Sequence, residues 1–185
     1  MPDRPAALSP NPQDDPRAIT PPPTRFPVNV VMERRRVSGN RWVTDSWRAI
    51  GVTVGEGGAP HAAGPGPVPI VEGPDLAQYL WRGLRVQLFA DEAESYYHNL
   101  MVGTPGCYIV TRPDPNGLPR PVIVSLSFDA GQAYLEGDET VHAVPLPPEL
   151  YRAAEAFVLA HYVPEKKTKR KRQNWKAQHQ EQRHA

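Results

Sequence analysis

Apolar residues between Arg25 and Leu126 recur at alternate positions in short runs, each closed by residues that favour turns. A period of two places every second side chain on one face of an extended strand, so the pattern predicts antiparallel strands joined by tight connections. Phe26 to Arg36 carries Val28, Val30 and Val31, then turns through Ser38-Gly39-Asn40 into Arg41 to Val54, a run rich in Trp, Val, Thr and Ile. That pair reads as a hairpin. Farther on, Leu84, Val86 and Leu88 alternate with Arg85, Gln87 and Phe89, and Asp91-Glu92 reads as an acidic turn into another strand, Glu94 to Val102. Pro105-Gly106 suits the centre of a type II turn, because Pro presets one φ and Gly accepts a positive one, and Cys107 to Arg112 then returns. Asn116-Gly117 is the strongest short hairpin signal, followed by Val122, Val124 and Leu126 at period two. Roughly six strands result, enough for one sheet or a small barrel.

Helical spacing emerges only late. Ser127 can cap a short helix through Tyr134 and Leu135, with Gly137 placed to end it. Pro147 and Pro148 suit a helix start, Glu149 lies where the helix dipole favours an anion, and Pro164 stops the run. Leu150, Ala154, Phe157, Val158 and His161 share one face of this helix, Pro147 to His161, which should cover an open face or end of the sheet. The expected fold is mainly β, an α+β arrangement in which an antiparallel sheet or small barrel is covered by a C-terminal helix.

Composition sets the boundaries. The chain has 185 residues, of which 23 are Pro and 14 Gly, a share that excludes a mostly helical protein. Residues 1–24 hold Pro2, Pro5, Pro10, Pro12, Pro16 and Pro21 to Pro23, which deny the backbone helix continuity and ladder donors, so a disordered Pro-rich tail is expected there. A single β-rich domain is expected over 25–163, interrupted by a Gly/Pro loop at 55–73; the segment before that loop is too short to enclose its own core. No apolar run approaches the roughly 20 residues of a membrane-spanning helix, and the N-terminal stretch lacks the apolar heart of a secretory signal. A cytoplasmic location is expected.

The net charge of +1 conceals a polarised chain, because every lysine lies beyond Pro164. Residues 164–185 carry five Lys and three Arg against two Glu, a net +6 that leaves −5 for residues 1–163. Lys166, Lys167, Lys169, Arg170, Lys171 and Arg172 form a self-repelling block with only Trp175 nearby to stack on a base. A disordered basic tail is expected over 164–185, capable of weak, nonspecific nucleic-acid contact.

Within the body, Glu33-Arg34-Arg35-Arg36 and Arg41 form the densest charge cluster. Guanidinium groups recognise carboxylate or phosphate bidentately, and alternate residues on a strand share a face. Arg34, Arg36 and Arg41, with Trp42 beside them, are therefore the candidate partner- or anion-binding surface, Arg and Trp being enriched at interface hot spots. The plainer reading is a charged edge hairpin that pairs with Glu33 or Asp45 and deters aggregation. Trp42 and Trp47 are an odd number of positions apart and Tyr96 adjoins Tyr97, so on unbroken strands each pair splits between opposite faces.

Catalytic and metal chemistry find little footing. Glu94 and His98, four apart on an expected strand, would lie about 13 Å apart, too far to share an ion. His61, His142, His161, His179 and His184 follow no zinc spacing, so neither a metal site nor a cofactor is expected. Cys107 sits in an apolar run beside Tyr108 and Ile109 and reads as a buried, inert thiol. No nucleophile elbow, phosphate-binding loop or dinucleotide fingerprint is present, and a catalyst is not expected.

Several longer motifs carry a resemblance. V-V-M-E-R-R at Val30 to Arg35, N-R-W at Asn40 to Trp42, Trp47, L-F-x-D-E-A-E-x-Y-Y-x-N at Leu88 to Asn99, P-V-I-V at Pro121 to Val124 and F-V-x-x-H-Y at Phe157 to Tyr162 occur in succession. Over Arg25 to Tyr162 the sequence resembles an uncharacterised family of small proteobacterial proteins. Members are commonly encoded beside membrane-bound formate dehydrogenase and its assembly factors, and some are labelled molybdopterin-guanine dinucleotide biosynthesis protein A. The resemblance implies an accessory role in making or using that molybdenum enzyme. It brings no catalytic residues with it, and this sequence opens with a proline tail and a β hairpin where a guanylyltransferase of that label opens with a strand and a glycine-rich nucleotide loop.

The leading expectation is a non-catalytic accessory protein that binds a formate dehydrogenase subunit or assembly factor. A nucleic-acid-binding module using the basic tail stands second. A phosphate- or pterin-cofactor-binding enzyme using Arg34, Arg36 and Arg41 stands third.

Overall fold

In the computed structural model, which describes residues 22–39, 44–55 and 66–164, the first two alternating runs pair as expected: β1 (Arg25–Arg36) runs antiparallel to β2 (Asp45–Val54). Beyond them lie a short strand β3 (Val68–Val71) and a long one, β4 (Leu76–Gln87), and the four assemble in the order β2-β1-β4-β3. A second antiparallel sheet holds β5 (Gly106–Pro113), β6 (Pro119–Ser125) and β7 (Thr140–Pro145) in the order β6-β5-β7. β4 lies against β6 and β2 against β7, yet no ladder joins the sheets. The fold is thus mainly β and antiparallel, as expected, built from two open sheets in place of one sheet or a closed barrel. They enclose one core, formed by Val28, Val30 and Met32 of β1, Val86 of β4, Ile109, Val124 and Val144 of the second sheet, and a helical face described below.

The Gly/Pro loop expected at 55–73 contains β3, and residues 56–65 within it lie outside the described residues. β3 is a four-residue edge strand with Pro69 at its second position, a place where a missing ladder donor is tolerated. At the β5–β6 turn the hairpin signal holds: Gly117 adopts φ 79° and Asp114 Oδ1 accepts the N–H groups of Asn116 and Leu118, both at 2.8 Å.

The largest departure from expectation is α1 (Ala93–Met101), a helix in place of the strand expected from Glu94. Ala93, Tyr96 and Asn99 are buried at a spacing of three, which is helical and not alternating. Adjacent Tyr96 and Tyr97 therefore do not face opposite ways. Tyr96 is buried edge-on to Phe157, with ring centroids 6.0 Å apart, while half-buried Tyr97 stacks on Tyr162 at 4.8 Å. Glu94 and His98, one helical turn apart, approach to 3.6 Å on the exposed face. Pro105-Gly106 consequently leads from a helix into β5.

α2 (Phe128–Glu136) starts where Ser127 predicts, with its hydroxyl accepting the N–H of Ala130 at 3.1 Å. Ser95 of α1 accepts the Asp129 N–H at 3.0 Å and the Ser127 hydroxyl at 3.1 Å, so two helices share one cap. Gly131 then lets α2 lie close on β5, since a Cβ there would stand 2.9 Å from Cγ of Tyr108. α3 (Pro148–His161) buries Leu150, Ala154, Phe157 and Val158 into the common core, as its periodicity predicts. His161 departs from that face: it is exposed and rests its ring on Phe157 at 4.2 Å. Buried Asn99 ties the connection together, donating to the carbonyls of Gly106 and Leu126 at 2.8 Å and accepting the Gly106 N–H at 3.0 Å. No helix among the described residues is long and apolar enough to cross a membrane.

Candidate functional site

The site begins with a mismatch of register on either side of β1. β1 alternates without interruption, and Val28, Val30, Met32 and Arg34 share one face. Each neighbour carries a bulge. On β2 the pairing passes from Val31↔Gly51 to Met32↔Ala49, so Ile50 is the additional residue. On β4 it passes from Val28↔Leu84 to Val30↔Trp81, and Gly83 takes φ 77° there. Leu84, Val86 and Leu88 on one side of Gly83, and Ala77, Tyr79 and Trp81 on the other, thereby face the same way although their numbers differ in parity. The Ile50 bulge likewise aligns Asp45, Trp47 and Ala49 with Val52 and Val54.

These shifts gather aromatic rings around one arginine. Arg34 pairs across β2 with Trp47 and across β4 with Ala77, while Tyr79 pairs with Met32 and Trp81 with Val30. The Trp47 and Tyr79 rings lie 5.5 Å apart, tilted by 33°. A cavity of about 180 Å³ is lined by Arg34, Trp47, Tyr79 and Trp81, with Asp45 of β2, Pro67 before β3, and Leu118 and Pro119 from the β5–β6 hairpin. Both sheets thus contribute to it.

Two of the side chains that line the recess have incompletely matched polar atoms. A terminal nitrogen of Arg34 donates to the Gly73 carbonyl at 3.3 Å, but its Nε is buried with no partner. Trp81, with 7% of its surface exposed, also leaves its indole Nε1 buried and unpartnered. Arg34 forms no ion pair among the described residues. Gly73 shapes the contact, because a Cβ there would stand 2.9 Å from the Leu76 carbonyl oxygen. Two hydrogen-bond donors therefore lie in an aromatic setting without acceptors, an arrangement that favours a bound acceptor or anion.

The neighbouring charges serve another purpose. Glu33 points to the opposite face of the sheet, where its buried carboxylate accepts from Arg35 Nε at 2.6 Å, Arg48 Nε at 2.9 Å and Gln78 Nε2 at 3.1 Å. The hydrogen bond from Arg35, with those from Gln78 and Arg48, brings its pKa down to about 2 against the opposing effect of burial. Arg36 is exposed at the end of β1, its N–H bonded to the Asp75 carbonyl at 2.9 Å and its position opposite Asp45 on the ladder. Of the plainer reading, the β1–β2 hairpin does form one edge of the sheet through β2 and arginines do pair with Glu33, but those are Arg35 and Arg48, while Arg34 and Arg36 lie on the interior strand.

Of the residues singled out from sequence, Arg34 lines the recess and Arg36 sits beyond its rim. Arg41 and Trp42 lie outside the described residues, as do Lys166, Lys167, Lys169, Arg170, Lys171, Arg172 and Trp175. Tyr79 and Trp81 are additions to that set, hidden in the sequence because the alternation after Gly83 is out of step with the one before it; the run Ala77, Tyr79, Trp81 followed by a glycine was the available signal. Elsewhere, burial pushes the Cys107 thiol up to about 12 and pushes His142 down, with its Nε2 3.3 Å from the Thr111 hydroxyl. No three His, Cys, Asp or Glu side chains among the described residues are grouped to hold a metal ion.

Residues 27–171 match a family model described as "Protein of unknown function (DUF3305)". Neither the curated proteins nor the solved structures yield a match.

Proposed function

This chain belongs to the DUF3305 family, and from that footing we propose that it is a non-catalytic binding protein that holds a partner polypeptide during the maturation or use of formate dehydrogenase. The observation that carries the binding role is an aromatic-walled recess lined by Arg34 and Trp81, each of which keeps a buried donor, Nε and Nε1, without a partner. Each such donor costs about 1 to 3 kcal/mol while unsatisfied, a cost that a bound acceptor removes. Size favours a polypeptide over a cofactor. At about 180 Å³ the cavity is smaller than the roughly 300 to 1,000 Å³ of small-molecule pockets and suits one inserted side chain. Arg and Trp are also the residue types that dominate interface energetics. The choice of formate dehydrogenase as the setting is supported by the resemblance carried by Val30 to Arg35 and Leu88 to Asn99.

The test is a Trp47→Ala/Tyr79→Ala double variant of the full-length protein, expressed in a host that makes formate dehydrogenase. A hot-spot aromatic is worth about 2 kcal/mol, or roughly thirtyfold in affinity. The double variant should keep its circular dichroism spectrum while formate dehydrogenase subunits cease to co-purify and formate oxidation in cells falls. Undiminished co-purification and activity with a folded variant would overturn the proposal.

A further inference from the structure

Resting on the reading of the recess as a docking site, we infer that the group it receives is a carboxylate of the partner polypeptide, bound through Arg34 and Trp81. The unmatched polar atoms of these two lining side chains are both donors, so the missing group is an acceptor. Charge narrows it further. Asp45 lines the same cavity and Arg36 stands opposite it on the ladder, so Arg34, Arg36 and Asp45 together leave one net positive charge. A partly buried guanidinium without a counterion favours a monoanion. The bond to the Gly73 carbonyl fixes one end of the Arg34 fork, leaving Nε as a preset donor. A carboxylate supplies one negative charge and two acceptor oxygens, matching the one net positive charge and the two buried donors without partners. A phosphate dianion brings a second charge, for which Arg34, Arg36 and Asp45 together leave no second net positive charge. The aromatic walls suit the apolar stem or ring next to the carboxylate.

The carboxylate can come from a Glu or Asp side group or from the C-terminus of a polypeptide, and small probes separate the two. The full-length protein, labelled at its indole nitrogens, is titrated by NMR with N-acetylglutamate N′-methylamide, N-acetylphenylalanine, the neutral amide of each, and inorganic phosphate. The Trp81 indole signal is identified by its loss in Trp81→Phe. Either carboxylate probe should move that signal saturably within about 50 mM, with its amide at least about tenfold weaker. Arg34→Gln should remove the response while leaving the other indole signals in place. The probe that binds more tightly names the source. Equal binding by the amides, tighter binding by phosphate, or no response to either carboxylate would overturn the inference. If the carboxylates fail while Trp47→Ala/Tyr79→Ala still loses the partner, docking stands and the carboxylate assignment falls. If the carboxylates bind while that double variant retains the partner, the docking reading falls and this inference falls with it.

Discussion

Glu33 and Arg34 adjoin in sequence yet occupy opposite electrostatic settings, because consecutive strand residues face opposite sides of the sheet. Glu33 is oversupplied with donors, and Arg34 lacks an acceptor. The cluster of charge was plain in the sequence; its division was not, since it depends on which strands flank β1. The depressed Glu33 pKa has a definite consequence for stability. A carboxyl that ionises more readily when folded contributes stability that is present above its unfolded value, near 4.5, and is lost as pH falls through its folded value of about 2. Glu33→Gln should therefore lower the denaturation midpoint at neutral pH, and the gap from the parent protein should narrow between about pH 4.5 and pH 2. Denaturant titrations at a series of pH values check this; a gap that stays constant throughout would refute it. Asn99 makes a sharper claim on buried groups: Asn99→Leu strands the Gly106 N–H and two carbonyls and should cost about 2 kcal/mol or more, read from the same titrations.

Among the elements, β1 and β2 were legible from alternation and turn chemistry, and α3 from its apolar face and prolines. α1 was not, because a run beginning at an acidic turn and containing two tyrosines scores well as strand, while its helical evidence lies in the spacing of Ala93, Tyr96 and Asn99. β4 was half legible, and its glycine explains why. Gly83 has φ 77° with nothing within 4 Å of an added Cβ, so its requirement is conformational. Gly131 is the reverse case, an ordinary helical glycine whose Cβ would meet the Tyr108 ring. Gly83→Ala should cost about 1 to 2 kcal/mol through the left-handed backbone alone, and Gly83→Asn less. Gly131→Ala gains up to about 1 kcal/mol of helix propensity but forces the ring aside at about 1 to 3 kcal/mol, so net destabilisation is expected. Trimming Tyr108 to Ala in the same protein should turn the Gly131→Ala effect favourable, a sign change that thermal melts of the parent, the two single variants and the double variant would show.

At the scale of the whole molecule, two sheets that share no ladder depend on one core, in which Trp81 comes from the first sheet and Cys107 from the second. Neither sheet buries its inner face without the other, and a single cooperative transition follows. Cys107, with its thiol pushed up to about 12 and fully buried, should react with a disulfide reagent only on opening. In a variant with Trp42 and Trp175 replaced by Phe, indole fluorescence reports on the first sheet and Cys107 labelling on the second. Their denaturant midpoints should coincide; separate midpoints would mean that the sheets are independent units. The recess itself was the least legible feature. It draws on three strands, the segment before β3 and a hairpin distant in sequence, and pairing between them, with two bulges, decides which side groups meet.

The Gly83 bulge also makes the length of β4 a form of information. Its two halves keep separate reading frames, joined at one residue, so changes of length there differ in kind from substitutions. Deleting Gly83 would leave Arg82 alone opposite Asn29 and restore plain alternation, so Leu84, Val86 and Leu88 and also Tyr79 and Trp81 would keep their facing without a bulge. Removing Arg82 as well would place Trp81 directly before Leu84 and turn the preceding half over, sending Tyr79 and Trp81 outward and bringing Gln78 and Leu80 inward. Among relatives of this protein, loss of the glycine should therefore go with loss of the bulge, and a chain that lacks both Arg82 and Gly83 should lack the aromatic recess.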